Sequence, residues 1–257
     1  MTRSQQIGLG LKTFGQATGF IMRNKLGWTF LVPIALGVLL FIGGQALIIN
    51  LMDNLKSYVF DLINMDKNAI LGGIIGGVLS ILMEVLFFLV FAYISGYIII
   101  ILMSPLLAYI SEKTEEILTG KKYKTGFFQL LSDIIRGIII SIRNLLLELF
   151  FIFLAFLFSF VPVFGWLGAV VLFFISSYYY GFSFIDYINE RKKLNIRESI
   201  SVGRKYRWIA ISNGAVFSIS LLVPFCGIFV SLFVSIIAVV AAALAMHKTN
   251  AYSAEAD

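Results

Sequence analysis

Four long apolar runs alternate with short polar segments along the chain. The only charged residue inside them is Glu84, and the runs are 26–52, 68–111, 149–185 and 208–246. About 20 apolar helical residues cross a hydrocarbon core of roughly 30 Å, so each run is long enough to enter a bilayer as helix. The pattern predicts an all-α integral membrane protein, with 26–52 and 68–111 as two long transmembrane helices.

The last two apolar runs are interrupted by the same short motif, Val-Pro-x-x-Gly. It occurs at 161–165 and again at 223–227. Proline stops helix propagation and glycine permits a tight reversal. We therefore predict that each run is a helical hairpin, with its turn at Pro162 and Gly165 in the first and at Pro224 and Gly227 in the second.

The arms before these turns are short. Arms 149–161 and 208–223 correspond to about 20 and 24 Å of helix at 1.5 Å per residue, less than a bilayer core. This favours hairpins that dip into the bilayer and return, described as hemi-penetrating. The alternative is that the arms borrow interfacial residues and form six ordinary spans.

The distribution of lysine and arginine predicts the orientation. The 53–67 segment is poor in basic residues and carries three aspartates, whereas the N-terminal segment and segments 112–148 and 186–207 are basic. By the positive-inside rule, 53–67 faces outward and the other three face the cytoplasm. The sequence thus predicts a multi-pass protein of the inner (plasma) membrane with both termini in the cytoplasm.

Two amphipathic segments complete a single membrane domain over 1–257. Segments 4–25 and 127–148 repeat apolar residues at helical spacing, which is typical of helices lying in the membrane interface. A glycine-rich stretch at 72–77 contains overlapping Gly-x-x-x-Gly spacings, which favour close helix packing. That packing is either internal or between two copies of the chain.

Composition agrees with a membrane protein and narrows its chemistry. The chain is 60% hydrophobic and 13% charged. Its net charge of +6 comes from residues between the apolar runs, so membrane topology explains it better than nucleic-acid binding. The first apolar run is too long for a signal peptide, and we interpret it as a retained span.

Candidate catalytic chemistry is sparse. Cys226 is the only cysteine and His247 the only histidine, so the sequence predicts no disulfide, no metal site, no cofactor and no enzyme active site. Glu84 is the one ionisable residue inside an early span, a position that is costly unless the carboxylate is paired or wetted. It either pairs with Arg136 or Arg143 or lines a pathway.

In this order the motifs resemble those of the CysZ sulfate permeases and the related etoposide-induced membrane proteins. The similar stretches follow one another over most of the chain: "FLVPIALG" at 30–37, "SPLLAYISEKTEEILTG" at 104–120, "VPVFG" at 161–165, Asp186-Tyr187, and "VPFCG" at 223–227. The resemblance implies two long transmembrane helices, paired hemi-penetrating helices, a homo-oligomer in the lipid bilayer, and uptake of sulfate into the cytoplasm.

The expected function is therefore a permease or channel for a small inorganic anion, with sulfate first. Four basic residues are the expected anion-binding charges at its rim: Arg23, Lys25, Arg136 and Arg143. In the related permeases an arginine precedes the first span at the sulfate site, and Gly27 stands at that position here. The alternative function is a membrane scaffold or partner-binding protein that transports nothing.

Overall fold

The described part of the chain is folded almost entirely as helix. The computed structural model describes residues 1–36, 38, 54, 57, 58, 70–121, 127–159, 165–223 and 226–249. These residues contain no strand, and the predicted all-α class is confirmed. Their helices are α1 (Arg3–Arg23), α2 (Gly27–Leu36), α3 (Ile70–Thr119), α4 (Phe127–Ser159), α5 (Gly165–Arg191), α6 (Ile196–Lys205), α7 (Arg207–Leu221) and α8 (Gly227–Lys248).

Four of these helices are long and apolar enough to cross a membrane. The apolar segments are Tyr97–Thr119 in α3, Ile135–Leu154 in α4, Leu167–Arg191 in α5 and Gly227–Lys248 in α8. The lengths and hydropathies of these helices thus agree with the predicted membrane character. Most of the first predicted span, at residue 37 and at 39–52, lies outside the described residues.

Helix α4 differs from the expected division of the chain. The sequence pattern separated an amphipathic helix at 127–148 from a hairpin arm that starts at 149, whereas α4 is one continuous helix of 33 residues. At 1.5 Å per residue it is about 50 Å long, so the shortness argued for the first arm does not apply to it. The apolar stripe of the first part simply continues into the apolar run.

Helix α7 is short, as predicted for the first arm of the second hairpin. It has 15 residues, which is about 22 Å and less than a bilayer core. It is followed by α8, and the two helices pack against each other. Gly227 begins α8, where its amide donates to the Val223 carbonyl at 2.9 Å. A Cβ there would lie 2.4 Å from the Leu221 carbonyl oxygen, so the close approach requires glycine.

The other predicted turn residues have mixed outcomes. Gly165 is the first residue of α5, which packs against α4. Pro162 and Pro224 lie outside the described residues. The hemi-penetrating character of the two helix pairs stays a prediction.

Helix α8 is the centre of the bundle. Its C-terminal half is a run of small and branched apolar residues, and 238–246 are almost fully buried. Helices α1, α3, α5 and α7 pack around it. Small side chains allow four neighbours to approach one helix, which explains why the alanine-rich segment occupies this position.

Helix α1 packs on α7 and α8 through a face made mostly of small and polar residues. The buried face carries Gln6, Gly10, Thr13, Ala17 and Ile21. Leu11, by contrast, is 51% exposed. An exposed apolar face is what a helix in the membrane interface would present to lipid.

Helices α5 and α7 cross at unusually close range. A Cβ on Gly181 would lie 1.9 Å from the Ala210 carbonyl oxygen, and one on Gly214 would lie 1.8 Å from the Ser177 carbonyl oxygen. Each glycine therefore faces backbone of the other helix. Ser177 and Ser218 flank the crossing, with their hydroxyl oxygens 3.3 Å apart.

Candidate functional site

Buried polar side chains line the junction of α3, α4 and α5. They recur at helical spacing on one face of each helix, and each is at most 3% exposed. We call this set the polar seam; it comprises Tyr97, Ser104 and Ser111 of α3, Ser141, Asn144 and Glu148 of α4, and Ser176, Ser183 and Tyr187 of α5. All nine lie in candidate membrane-spanning segments, where polar groups are costly and usually functional.

One end of the polar seam is a fully buried carboxylate. The hydroxyls of Tyr97 and Ser176 donate to the two carboxylate oxygens of Glu148, so three helices meet at this residue. The Tyr97 ring packs on Tyr180 with centroids 4.8 Å apart. No ion pair to Glu148 occurs among the described residues, and its carboxylate is held by neutral donors.

An amide occupies the middle of the polar seam. Asn144 donates to the Ser183 hydroxyl at 3.0 Å, and its own carbonyl oxygen accepts from the Arg143 guanidinium at 3.1 Å. Arg143 is partly buried, so it brings positive charge to the edge of the polar seam.

A bidentate ion pair closes the other end. Arg136 of α4 donates to the two carboxylate oxygens of Asp186 on α5 at 2.9 and 3.2 Å. It also donates to the Leu194 carbonyl, while the Ser199 hydroxyl of α6 donates to Asp186. Arg136 and Glu148 are 12 residues apart on α4, which corresponds to about 18 Å along the helix axis.

An open groove of about 630 Å³ lies beside this ion pair. Its polar lining includes Ser132, Arg136, Asn195 and Arg197. Arg136 therefore borders both the groove and the end of the polar seam.

The four predicted anion-binding residues do not form one cluster. Arg136 and Arg143 lie on α4 at the polar seam, whereas Arg23 and Lys25 are exposed at the end of α1, which packs on α7 and α8. Lys25 adopts a left-handed backbone conformation with φ of 59°. Arg136 is engaged by Asp186, a partner 50 residues away in the chain.

The predicted role of Glu84 stays a prediction. The residue lies in α3, but its side chain is outside the described part of the structure. A described carboxylate within a candidate membrane span is Glu148, which the sequence pattern placed just before the apolar run at 149. In the sequence, Ser141, Asn144 and Glu148 are spaced three and four residues apart, which places them on one face of a helix.

No metal centre is formed in the described part of the chain. No group of three His, Cys, Asp or Glu side chains converges there in a way that would hold an ion. Cys226 is a free, exposed thiol. The polar seam offers hydrogen-bond donors, and Arg136 and Arg143 add positive charge at its edge.

Comparison with known proteins places the chain in a family. The family model described as "Sulfate transporter CysZ/Etoposide-induced protein 2.4" matches residues 13–231, which is most of the chain. A search of curated proteins gave no match. The match includes α3, α4, α5 and α7, the helices that carry the polar seam and the close crossing. The chain belongs to the sulfate transporter CysZ/etoposide-induced protein family of membrane transport proteins.

Proposed function

We propose that the protein is a permease for a small inorganic anion, with sulfate as the preferred species. The observation that carries the proposal is the polar seam, a line of hydroxyl and amide groups inside three candidate membrane spans. A packed interior would otherwise be apolar at this depth, since buried polar groups destabilise the fold unless they are satisfied. Family membership supports sulfate as the anion.

The anion enters or leaves beside Arg136 and Arg143. In the proposed orientation, with both termini cytoplasmic, this end of the polar seam faces the cytoplasm and Glu148 lies deeper in the membrane. The groove next to Arg136 is the proposed vestibule. The guanidinium of Arg143 and the hydroxyls beyond it offer hydrogen-bond donors to an anion that loses its hydration shell.

Two other features of the protein would attract an anion. Exposed Arg23 and Lys25 attract anions towards the membrane surface, an effect that salt screens. The N-termini of α5 and α8 carry the positive ends of their helix dipoles, which favour negative charge. In hemi-penetrating hairpins both N-termini would lie within the bilayer.

Homo-oligomerisation in the plasma membrane is part of the same proposal. Helix α4 presents an exposed apolar face that includes Ile139, Leu146, Phe150 and Phe153. Lipid or a second copy of the chain is the natural neighbour of such a face.

Uptake of radiolabelled sulfate into vesicles containing the purified protein tests the proposal. We expect uptake above that of empty vesicles, reduced by unlabelled sulfate more strongly than by chloride or phosphate at the same concentration. If uptake equals that of empty vesicles for every anion, transport is excluded and a non-transporting membrane scaffold becomes the better interpretation.

A further inference from the structure

Three hydroxyls of the polar seam are buried without a hydrogen-bond partner among the described residues. They belong to Ser104 of α3, Ser141 of α4 and Tyr187 of α5, each at most 3% exposed. An unsatisfied buried hydroxyl costs on the order of 1–3 kcal/mol, so a protein rarely retains three on facing helices without a use for them. The neighbouring polar residues Asn144, Ser176 and Ser183 all make hydrogen bonds.

Two of the three residues, Ser104 and Tyr187, lie beside Gly137. A Cβ on Gly137 would lie 3.6 Å from the Tyr187 hydroxyl oxygen and 4.0 Å from the Ser104 Cβ. Ser141 is one helical turn further along the same side of α4. Because Gly137 has no side chain, α4 leaves a gap at this point beside Ser104 and Tyr187.

We propose that Ser104, Ser141 and Tyr187 form an oxyanion subsite within the membrane, at which neutral hydroxyl donors replace part of the hydration shell of a tetrahedral inorganic anion such as sulfate. This inference rests on the proposed permease function and assigns a binding site to it. Sulfate oxygens are acceptors only, and a free hydroxyl is a rotatable donor. Neutral donors hold an anion firmly enough to admit it and weakly enough to release it, as conduction requires.

Charge at the subsite is balanced by its surroundings. Arg136 and Asp186 form an ion pair beside it, and Glu190, one turn beyond Tyr187 on α5, lies 3.8 Å from the Arg191 guanidinium. The positive charge of Arg136 is therefore compensated and does not trap the anion. Discrimination comes from the number and placement of the donors.

The test removes each hydroxyl with the smallest possible change of shape, using Ser104→Ala, Ser141→Ala, Tyr187→Phe and the triple variant. Because these hydroxyls contact no partner in the described part of the chain, their removal should leave the thermal unfolding midpoint unchanged or raised. We expect the KM for sulfate uptake to rise about tenfold for each hydroxyl lost, since each bond to an anion is a charge-assisted one. Ser235→Ala is the matched control, because that buried hydroxyl donates to the Leu232 carbonyl in its own helix at 2.7 Å.

Gly137→Ala supplies a second variant that removes no hydroxyl. The added methyl meets only ordinary van der Waals distances, so the fold should be retained. The methyl occupies the gap beside Ser104 and Tyr187, so we expect it to raise the KM for sulfate as well.

The possible outcomes decide between an anion subsite and a purely structural role. An unchanged KM in the triple variant or in Gly137→Ala overturns the subsite. If the KM of the triple variant is unchanged and its unfolding midpoint is lowered, the hydroxyls bind structural water instead of an anion. If the wild-type protein transports nothing, the permease proposal fails separately. Equilibrium binding of radiolabelled sulfate to the purified protein then decides the subsite: tenfold weaker binding by the triple variant supports it, and equal binding overturns it.

Discussion

Gly181→Ala and Gly214→Ala are each expected to destabilise the protein by at least about 3 kcal/mol, the upper range for overpacking a core. The Cβ at Gly181 would lie 1.9 Å from the Ala210 carbonyl oxygen and 2.9 Å from the Ala210 Cα. These are backbone atoms of α7, so no side-chain rotation relieves the overlap and the helices must separate. Because α7 is buried between α5 and α8, that separation disturbs the packing of both. The measurement is the denaturation midpoint of the purified protein in detergent.

A glycine without neighbours is the control for this experiment. A Cβ on Gly15 of α1 meets no atom within 4 Å. Gly15→Ala should be neutral or stabilising by about 0.5–1 kcal/mol, because alanine is the better helix former. Equal midpoints for Gly181→Ala and Gly15→Ala would show that α5 and α7 do not cross as closely as described.

Removing Asp186 is the second change with a large expected effect. Asp186→Leu leaves the Arg136 guanidinium without its bidentate partner and the Ser199 hydroxyl without its acceptor. Breaking a buried pair on one side costs about 3–5 kcal/mol; because the Arg136 side chain is 16% exposed, we expect the lower end of that range. Arg136→Leu combined with Asp186→Leu should cost clearly less than the sum of the two single substitutions. Chemical denaturation of the four proteins measures the coupling.

An exposed ion pair provides the control for this experiment. Lys113 and Glu116 lie 2.7 Å apart one turn along α3, with the Lys113 side chain 37% exposed. Lys113→Ala is expected to change stability by less than about 0.5 kcal/mol. Strict additivity of the Arg136 and Asp186 substitutions would contradict the structural role assigned to their pair.

The hydrophobic pattern predicted the membrane helices well because burial in lipid requires long uninterrupted apolar runs. Three of the four apolar helices lie largely within the predicted runs, whereas most of Ile135–Leu154 lies in the segment predicted as an interfacial helix. The family was predicted from the order of the short motifs, and Gly165 and Gly227 both begin helices after the proposed turns. The amphipathic segment 127–148 and the start of the first arm at 149 lie in one continuous helix. Glu148 marked the start of an uncharged run, but a charge facing a polar neighbour across the bundle does not interrupt a helix.

The polar seam could not be predicted because its contacts join distant parts of the chain. Glu148 accepts from Tyr97 and Ser176, which are 51 and 28 residues away. The spacing of Ser141, Asn144 and Glu148 indicates that they share one face of a helix, but it does not show which other helices that face contacts. Arg136 was interpreted as a rim charge for the same reason, since Asp186 becomes its partner only through the contact of α4 with α5.

The close crossing of α5 and α7, by contrast, has a signal in the sequence. Ser177 and Gly181 are four residues apart, as are Ala210, Gly214 and Ser218, which is the spacing that permits close helix packing. The stretch at 72–77 has more glycines and is the more conspicuous of the two. Gly77 is the one glycine of that stretch whose surroundings are described, and most of the first span lies outside the described residues, so the packing of 72–77 stays a prediction.

The two helix pairs are proposed to enter and leave the bilayer on the cytoplasmic side, and the native thiol of Cys226 at the start of α8 reports on that topology. We predict that a membrane-impermeant maleimide applied to intact cells does not label Cys226. The same reagent should label Asn54→Cys in a Cys226→Ser protein, because residue 54 is exposed in the segment proposed to face outward. Labelling of native Cys226 from outside would mean that α7 and α8 are joined by an external loop, and would contradict the proposed topology.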